Sequence, residues 1–189
     1  MDLKEKIETR QAVIGIVGLG YVGLPLLIEF ARKEFRIIGF DIDESKIRQL
    51  QAGQSYFKHI PSQRIADINR DSRTEYSTDF SRTAAADVLL LAVPTPLNEH
   101  REPDLSFIEN TAHSIRPHLR KEQLVILESS TWPGTTAEVL TPILEQSGLQ
   151  CGRDFFVAFS PEREDPNNLR FHMGNTPKVV GADGDYERQ

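Results

Sequence analysis

Apolar residues in this chain fall into short continuous runs, and the runs are separated by stretches with helical spacing. Ala12 to Val17, Phe35 to Phe40, Val88 to Val93, Leu124 to Leu127 and Phe155 to Phe159 read as strands. Their lack of polar alternation is what a parallel strand covered on both faces requires. Between the first two, Leu24, Leu27, Ile28 and Ala31 mark one face of a helix from Val22 to about Lys33. Strand and helix keep alternating, which predicts an α/β fold, a mostly parallel sheet with helices on both faces.

The intervening stretches fit that scheme. Met1 to Gln11 is polar with Leu3 and Ile7 at helical spacing and predicts a short leading helix. Asp43-Glu44-Ser45 supplies a cap and an acidic first turn for a helix to about Ala52, stopped by Gly53. Ser55 to Ser77 is less regular, with a short helix over Ser62 to Asn69 capped by Ser62. Tyr56, Phe57, His59 and Ile60 either cover a ligand crevice or pack, and packing is the commoner fate of an aromatic cluster. Further helices are predicted from Asp104 to about His118 and from Thr136 to about Ser147. A last strand runs from Pro177 to Gly181, followed by a polar, frayed tail from Ala182. With no repeat or interdomain linker, residues 1–189 read as one domain.

The first strand runs directly into Gly18-Leu19-Gly20-Tyr21-Val22-Gly23. In that context the glycines have separate uses: Gly18 permits a tight turn, Gly20 lets backbone amides approach a pyrophosphate, and Gly23 lets the helix pack on the strand. The second strand ends in Asp41, about twenty residues on, where a carboxylate would accept from adenosine ribose hydroxyls and oppose an NADP 2′-phosphate. The expectation is a Rossmann-like, doubly wound domain that binds NAD.

Three later loops are predicted at strand ends on the same rim. Val93-Pro94-Thr95-Pro96 stops the 88–93 strand, because proline cannot continue a ladder. There Thr95 either donates to a phosphate or ribose or merely occupies a turn. Glu128-Ser129-Ser130-Thr131-Trp132-Pro133-Gly134-Thr135-Thr136 carries more hydroxyls than a helix cap needs, so Ser130 or Thr131 is expected to touch ligand. Ser160-Pro161-Glu162-Arg163-Glu164-Asp165-Pro166 is either a solvated charge run or a third polar loop over the same crevice.

Composition narrows the possibilities. With 22 basic and 28 acidic residues the formal net charge is −6, and no Lys/Arg block is dense enough to neutralise a nucleic-acid backbone. No apolar run is long enough for a membrane span and no secretory pattern opens the chain, so no membrane partner and a cytoplasmic setting are expected. Cys151 is the single cysteine, which excludes an intrachain disulfide and a cysteine-rich metal site. His59 has no ligand spacing to another histidine, and no metal is expected.

Taken together, four of these stretches resemble the nucleotide-sugar 6-dehydrogenases, NAD-dependent enzymes that oxidise a UDP-hexose at C6 from alcohol to carboxylate. Gly18 to Pro25 is similar to their opening signature, Val93 to Pro96 to the loop after the fourth strand, Glu128 to Thr135 to their serine-threonine-proline loop, and Ser160 to Arg163 to their glutamate loop. Arginine after the glutamate, as in Glu162-Arg163, resembles members acting on UDP-N-acetylhexosamines, whereas members acting on UDP-glucose commonly carry an aromatic there. UDP-N-acetylglucosamine is the favoured substrate, with the mannosamine and galactosamine analogues close behind.

The resemblance implies roles by position. With Gly18 and Gly23 shaping the cofactor-binding turn, Gly20, Tyr21 and Val22 would hold the pyrophosphate, and Asp41 and Lys46 the adenosine ribose. Val93, Pro94, Thr95, Ser130 and Thr131 would line the cofactor toward the chemistry. Thr131 and Glu162 would position the hydrolytic water, and Glu162 and Arg163 would meet substrate. Family members trap the aldehyde on a cysteine that lies beyond the first domain, and Cys151 precedes the glutamate loop and does not match it. The chain is therefore expected to be the N-terminal cofactor part of a longer, homo-oligomeric enzyme, without the central helix and UDP-binding domain, and inactive alone. Two other readings stay open: a hydroxyacid dehydrogenase, and an NAD-sensing module without chemistry.

Overall fold

The computed structural model describes residues 1–97, 103–161 and 178–182. Seven strands form one sheet in the order β3-β2-β1-β4-β5-β6-β7, with β1 Val13–Val17, β2 Arg36–Phe40, β3 Thr74–Ser77, β4 Val88–Leu91, β5 Leu124–Leu127, β6 Phe156–Phe159 and β7 Gly181–Ala182. All neighbouring pairs from β3 through β6 are parallel, and β7 joins β6 antiparallel. The helices are α1 Leu3–Glu8, α2 Gly23–Arg32, α3 Glu44–Gln51, α4 Ser62–Asn69, α5 Ser106–Ile115 and α6 Thr141–Glu145.

The buried residues separate by strand parity into two cores. Ile14, Ile16, Ile37, Val88 and Leu90 pack with Leu24, Leu27 and Ile28 of α2, Ile47 and Leu50 of α3 and Ile65 of α4. Val17, Ile38, Phe40, Leu89, Leu91, Val125 and Leu127 pack on the other face with Ile108, Ala112 and Ile115 of α5 and with Leu140 and Leu144. Successive strand residues point to opposite faces, so continuous apolar runs are what a sheet covered twice demands. The predicted doubly wound architecture is the one observed.

Several predicted elements change in detail. β3 falls inside the stretch read as irregular: it is an edge strand paired only with β2, and Thr74 and Glu75 are half exposed, so it carries no apolar run. Ser62 does not cap α4; Pro61 occupies the cap position without a side-chain bond, and the Ser62 hydroxyl accepts from the Ser55 N–H. By contrast Asp43 caps α3 as expected, accepting from Ser45 N–H. The helix predicted to reach His118 changes to a 3-10 turn over Arg116–His118, which contains Pro117. That after the hydroxyl loop opens as a π turn over Thr136–Leu140. Pro142 has no N–H to offer Glu138, and its ring crowds that carbonyl, so a wider turn there relieves the clash. The last strand begins at Gly181 rather than Pro177. The tail beyond Ala182 lies outside the described residues.

β1 is the switch point, because the chain crosses from β2 and β3 on one side of it to β4 and onward on the other. Open α/β sheets place ligands outside the carboxyl ends of strands at such a point. Here that means Gly18 after β1 and Ala92 after β4.

Candidate cofactor site

The β1–α2 turn is built as its glycines imply. Gly18 has φ +90°, and a Cβ there would stand 2.6 Å from the Ala92 carbonyl oxygen. A Cβ on Gly23 would stand 1.8 Å from the Gly18 carbonyl oxygen, so α2 can begin this close to β1 only with glycine. Around Gly20 a Cβ would meet nothing within 4 Å, which leaves open space over the turn. The Val22 cap of α2 makes no side-chain bond. Among the described residues the amides of Gly20, Tyr21 and Val22 donate no hydrogen bond. Free amides at the start of a ten-residue helix with its positive dipole end form an anion cradle.

A crevice of about 500 Å³ opens above this cradle. It brings together Gly18, Gly20, Tyr21, Val22, Asp41, Lys46, Val93 and Pro94 of the residues expected from sequence. Asp41 is almost fully buried at 6% exposure and serves the turn as well as the crevice. Its Oδ2 accepts from the Leu19 N–H at 2.9 Å and from Lys46 Nζ at 3.0 Å, and its Oδ1 accepts from the Asp43 N–H at 2.9 Å. A carboxylate has about four acceptor sites, so roughly one remains for a ligand hydroxyl. Next to it, hydrogen bonds from Ser45 hold the Asp43 carboxyl below the usual range.

Among the described residues, the other predicted positions, Gly23, Thr95, Ser130 and Thr131, are not in the crevice lining. Gly23 lies beneath the turn. Thr95 Oγ1 donates to the Ser130 carbonyl at 2.8 Å, and Ser129 Oγ donates to the Val93 carbonyl at 2.6 Å. These two bonds stitch the proline loop to the hydroxyl loop. They place Ser130, exposed, and Thr131, half-buried, on the adjoining rim. Behind them the buried Glu128 pairs with Lys178. Glu162 and Arg163 lie outside the described residues.

Other lining residues were not marked by sequence. Ile42 is 82% exposed between two aspartates, an apolar side chain in a polar setting that is itself a signal. Phe107 and Thr111 also line the crevice, one turn apart on α5 and off its buried stripe of Ile108, Ala112 and Ile115. Phe80 adds a further wall. The aromatic segment does pack, as expected, with Ile60 in the core and Tyr56 and Phe57 against it. It also reaches the turn: the Tyr56 hydroxyl donates to the Leu19 carbonyl, and the Tyr21 ring lies 4.5 Å from Phe57 and 6.0 Å from His59 between centroids.

A sequence model of the UDP-glucose/GDP-mannose dehydrogenase family, NAD binding domain, matches residues 12–189. The chain belongs to this family. Within it, the chain is 37% identical over 170 residues to Protein CapL of Staphylococcus aureus, a match covering 89% of this chain and 39% of that protein. Over the same length it is 36% identical to UDP-N-acetyl-D-glucosamine 6-dehydrogenase of Pseudomonas aeruginosa, again covering 89% and 39%. A ternary complex of GDP-mannose dehydrogenase from Pseudomonas aeruginosa superposes with a TM-score of 0.85 at 27% identity, covering 93% of this chain and 42% of that one. The chain thus spans about two-fifths of the length of its relatives.

As a UDP-glucose/GDP-mannose dehydrogenase NAD binding domain, the chain presents donors and acceptors that fit its cofactor. The Gly20–Val22 amides suit a diphosphate, and Asp41 with Lys46 suits vicinal ribose hydroxyls. Among the described residues no cluster of His, Cys, Asp and Glu could hold a metal, and no helix is long and apolar enough to cross a membrane.

Proposed function

We propose that this chain is the N-terminal cofactor domain of an NAD-dependent UDP-N-acetylhexosamine 6-dehydrogenase, with UDP-N-acetylglucosamine as substrate. The observation that carries the reading is the amide cradle of Gly20 to Val22 opening on a crevice that holds Asp41 and Lys46, in a chain 36% identical to a UDP-N-acetyl-D-glucosamine 6-dehydrogenase. When bound, NAD supplies the hydride acceptor for two successive oxidations at C6. The chain's own part is placement. Asp41 and Lys46 hold the adenosine ribose, the glycine turn holds the diphosphate, and the stitched loops of Thr95, Ser130 and Thr131 bound the end where chemistry occurs. Thr131 orients water there; Glu162 works with it and also meets the sugar, as does Arg163.

The rest of the active site, including the nucleophile and the groups that grip UDP, belongs to a further domain of a homo-oligomeric cytoplasmic enzyme that supplies uronic acids for polysaccharide assembly. Cys151 is not that nucleophile, because it stands beside β6 in an isolated bridge to Phe155, off the β1–β4 crevice. The test is stoichiometry. The gene product that contains this chain is expected to form two NADH per UDP-N-acetylglucosamine, and residues 1–189 alone none. NADH formed by residues 1–189, or a preference for a short hydroxyacid, contradicts the proposal.

A further inference from the structure

Leu19 is held from outside on both of its backbone polar groups. Its N–H donates to Asp41 Oδ2, and its carbonyl accepts from the Tyr56 hydroxyl. In a trans peptide a carbonyl and the following N–H point in opposite directions. Anchoring the Leu19 carbonyl on Tyr56 therefore turns the Gly20 N–H away from Tyr56. Anchoring the Leu19 N–H on Asp41 likewise turns the Gly18 carbonyl away from Asp41, and that oxygen is found against Gly23 at the start of α2. Two consecutive peptide planes of the cradle are thus set by side chains outside it.

Tyr56 is itself well fixed. Its ring meets Phe57 edge-on at 4.9 Å, and the Lys46 ammonium lies 5.9 Å from its centroid. The same segment grips the turn a second time through Phe57 and His59 on the Tyr21 ring. Burial, and after it the Asp41 charge, pushes the Tyr56 hydroxyl well above its ordinary range, so it remains a donor. Tyr56 does not line the crevice.

We infer that Tyr56 is a positioning residue for the diphosphate: by holding the Leu19 carbonyl it presets the Gly20 amide toward the ligand, an inference that rests on this crevice being the NAD site. Loss of one neutral hydrogen bond corresponds to roughly a fivefold to tenfold change in affinity when it acts on one ligand moiety. Calorimetric titration of the chain and of Tyr56→Phe with ADP-ribose and with adenosine tests it. ADP-ribose is expected to bind about five to ten times more weakly to the variant, and adenosine within about twofold of wild type. Equal affinities for ADP-ribose, or equal losses for both ligands, overturn the positioning role. Wild-type protein that binds neither overturns the cofactor reading and the inference with it. Independently of ligand, the Gly20 amide resonance should move in Tyr56→Phe while those of β5 stay; an unmoved Gly20 resonance also overturns the inference.

Discussion

Gly20 and Gly23 lie three positions apart and are expected to fail differently. A methyl on Gly20 meets no protein atom within 4 Å, and Gly20 lines the crevice proposed for the diphosphate. Gly20→Ala should keep its melting temperature within about 2 °C of wild type and lose roughly tenfold or more in NADH affinity. A methyl on Gly23 meets the Gly18 backbone at 1.8 Å, which no rotamer can relieve, and overpacking of that kind costs about 1–3 kcal/mol. Gly23→Ala should therefore melt several degrees lower. Thermal melts beside calorimetry check both, and the reverse pattern would contradict the assignment of roles. These glycines and Asp41 were legible because their spacing falls between an apolar strand run and a helical pattern, with Asp41 ending the second strand. That Asp41 also ties down the Leu19 N–H was not, since the contact joins residues 22 positions apart through the fold. Tyr56 was less legible still: it sits in a stretch with no periodicity, and only its three-dimensional place separates an anchor from a packed aromatic.

At the level of elements, strands buried on both faces announced themselves and the edge did not. β1, β2 and β4 are apolar runs because both of their faces pack into a core under helices, whereas β3 has a single partner strand and half-exposed positions that polar residues satisfy. Proline explains both shortened helices, and its effect on the turn before α6 depends on a crowded carbonyl that sequence spacing alone does not rank. One clamp joining elements went unnoticed. Asp87, just before β4 and 5% exposed, accepts from Lys6 of α1, from the Val13 N–H and from Arg120. Desolvation pushes its pKa up, but the hydrogen bonds from Lys6, Val13 and Arg120 outweigh it and hold the carboxyl below its ordinary range. A depressed folded pKa gives stability that is complete above the unfolded value, about 3.9, and is lost as pH falls through the folded one. Asp87→Asn should accordingly destabilise by about 1–3 kcal/mol at pH 7. The gap between variant and wild type should narrow below about pH 3.5. Denaturant melts at both pH values measure this, and a gap independent of pH would contradict the clamp.

Across the whole molecule, the parallel sheet, its switch at β1 and the crevice above it support the arrangement proposed for NAD: a diphosphate on the start of α2 and a ribose against Asp41. The negative charge of Asp41 is what should distinguish one dinucleotide from another. Lys46 is already paired with it at 3.0 Å, so a 2′-phosphate would approach a buried carboxylate whose nearest cation is engaged. Like charges brought together in this way are expected to cost a factor of about ten or more in affinity. Calorimetric titration of the chain with NADH and with NADPH in one buffer measures this directly. The structure predicts saturable NADH binding at a single site, at least about tenfold tighter than NADPH; equal affinity, a preference for NADPH, or no NADH binding would contradict it.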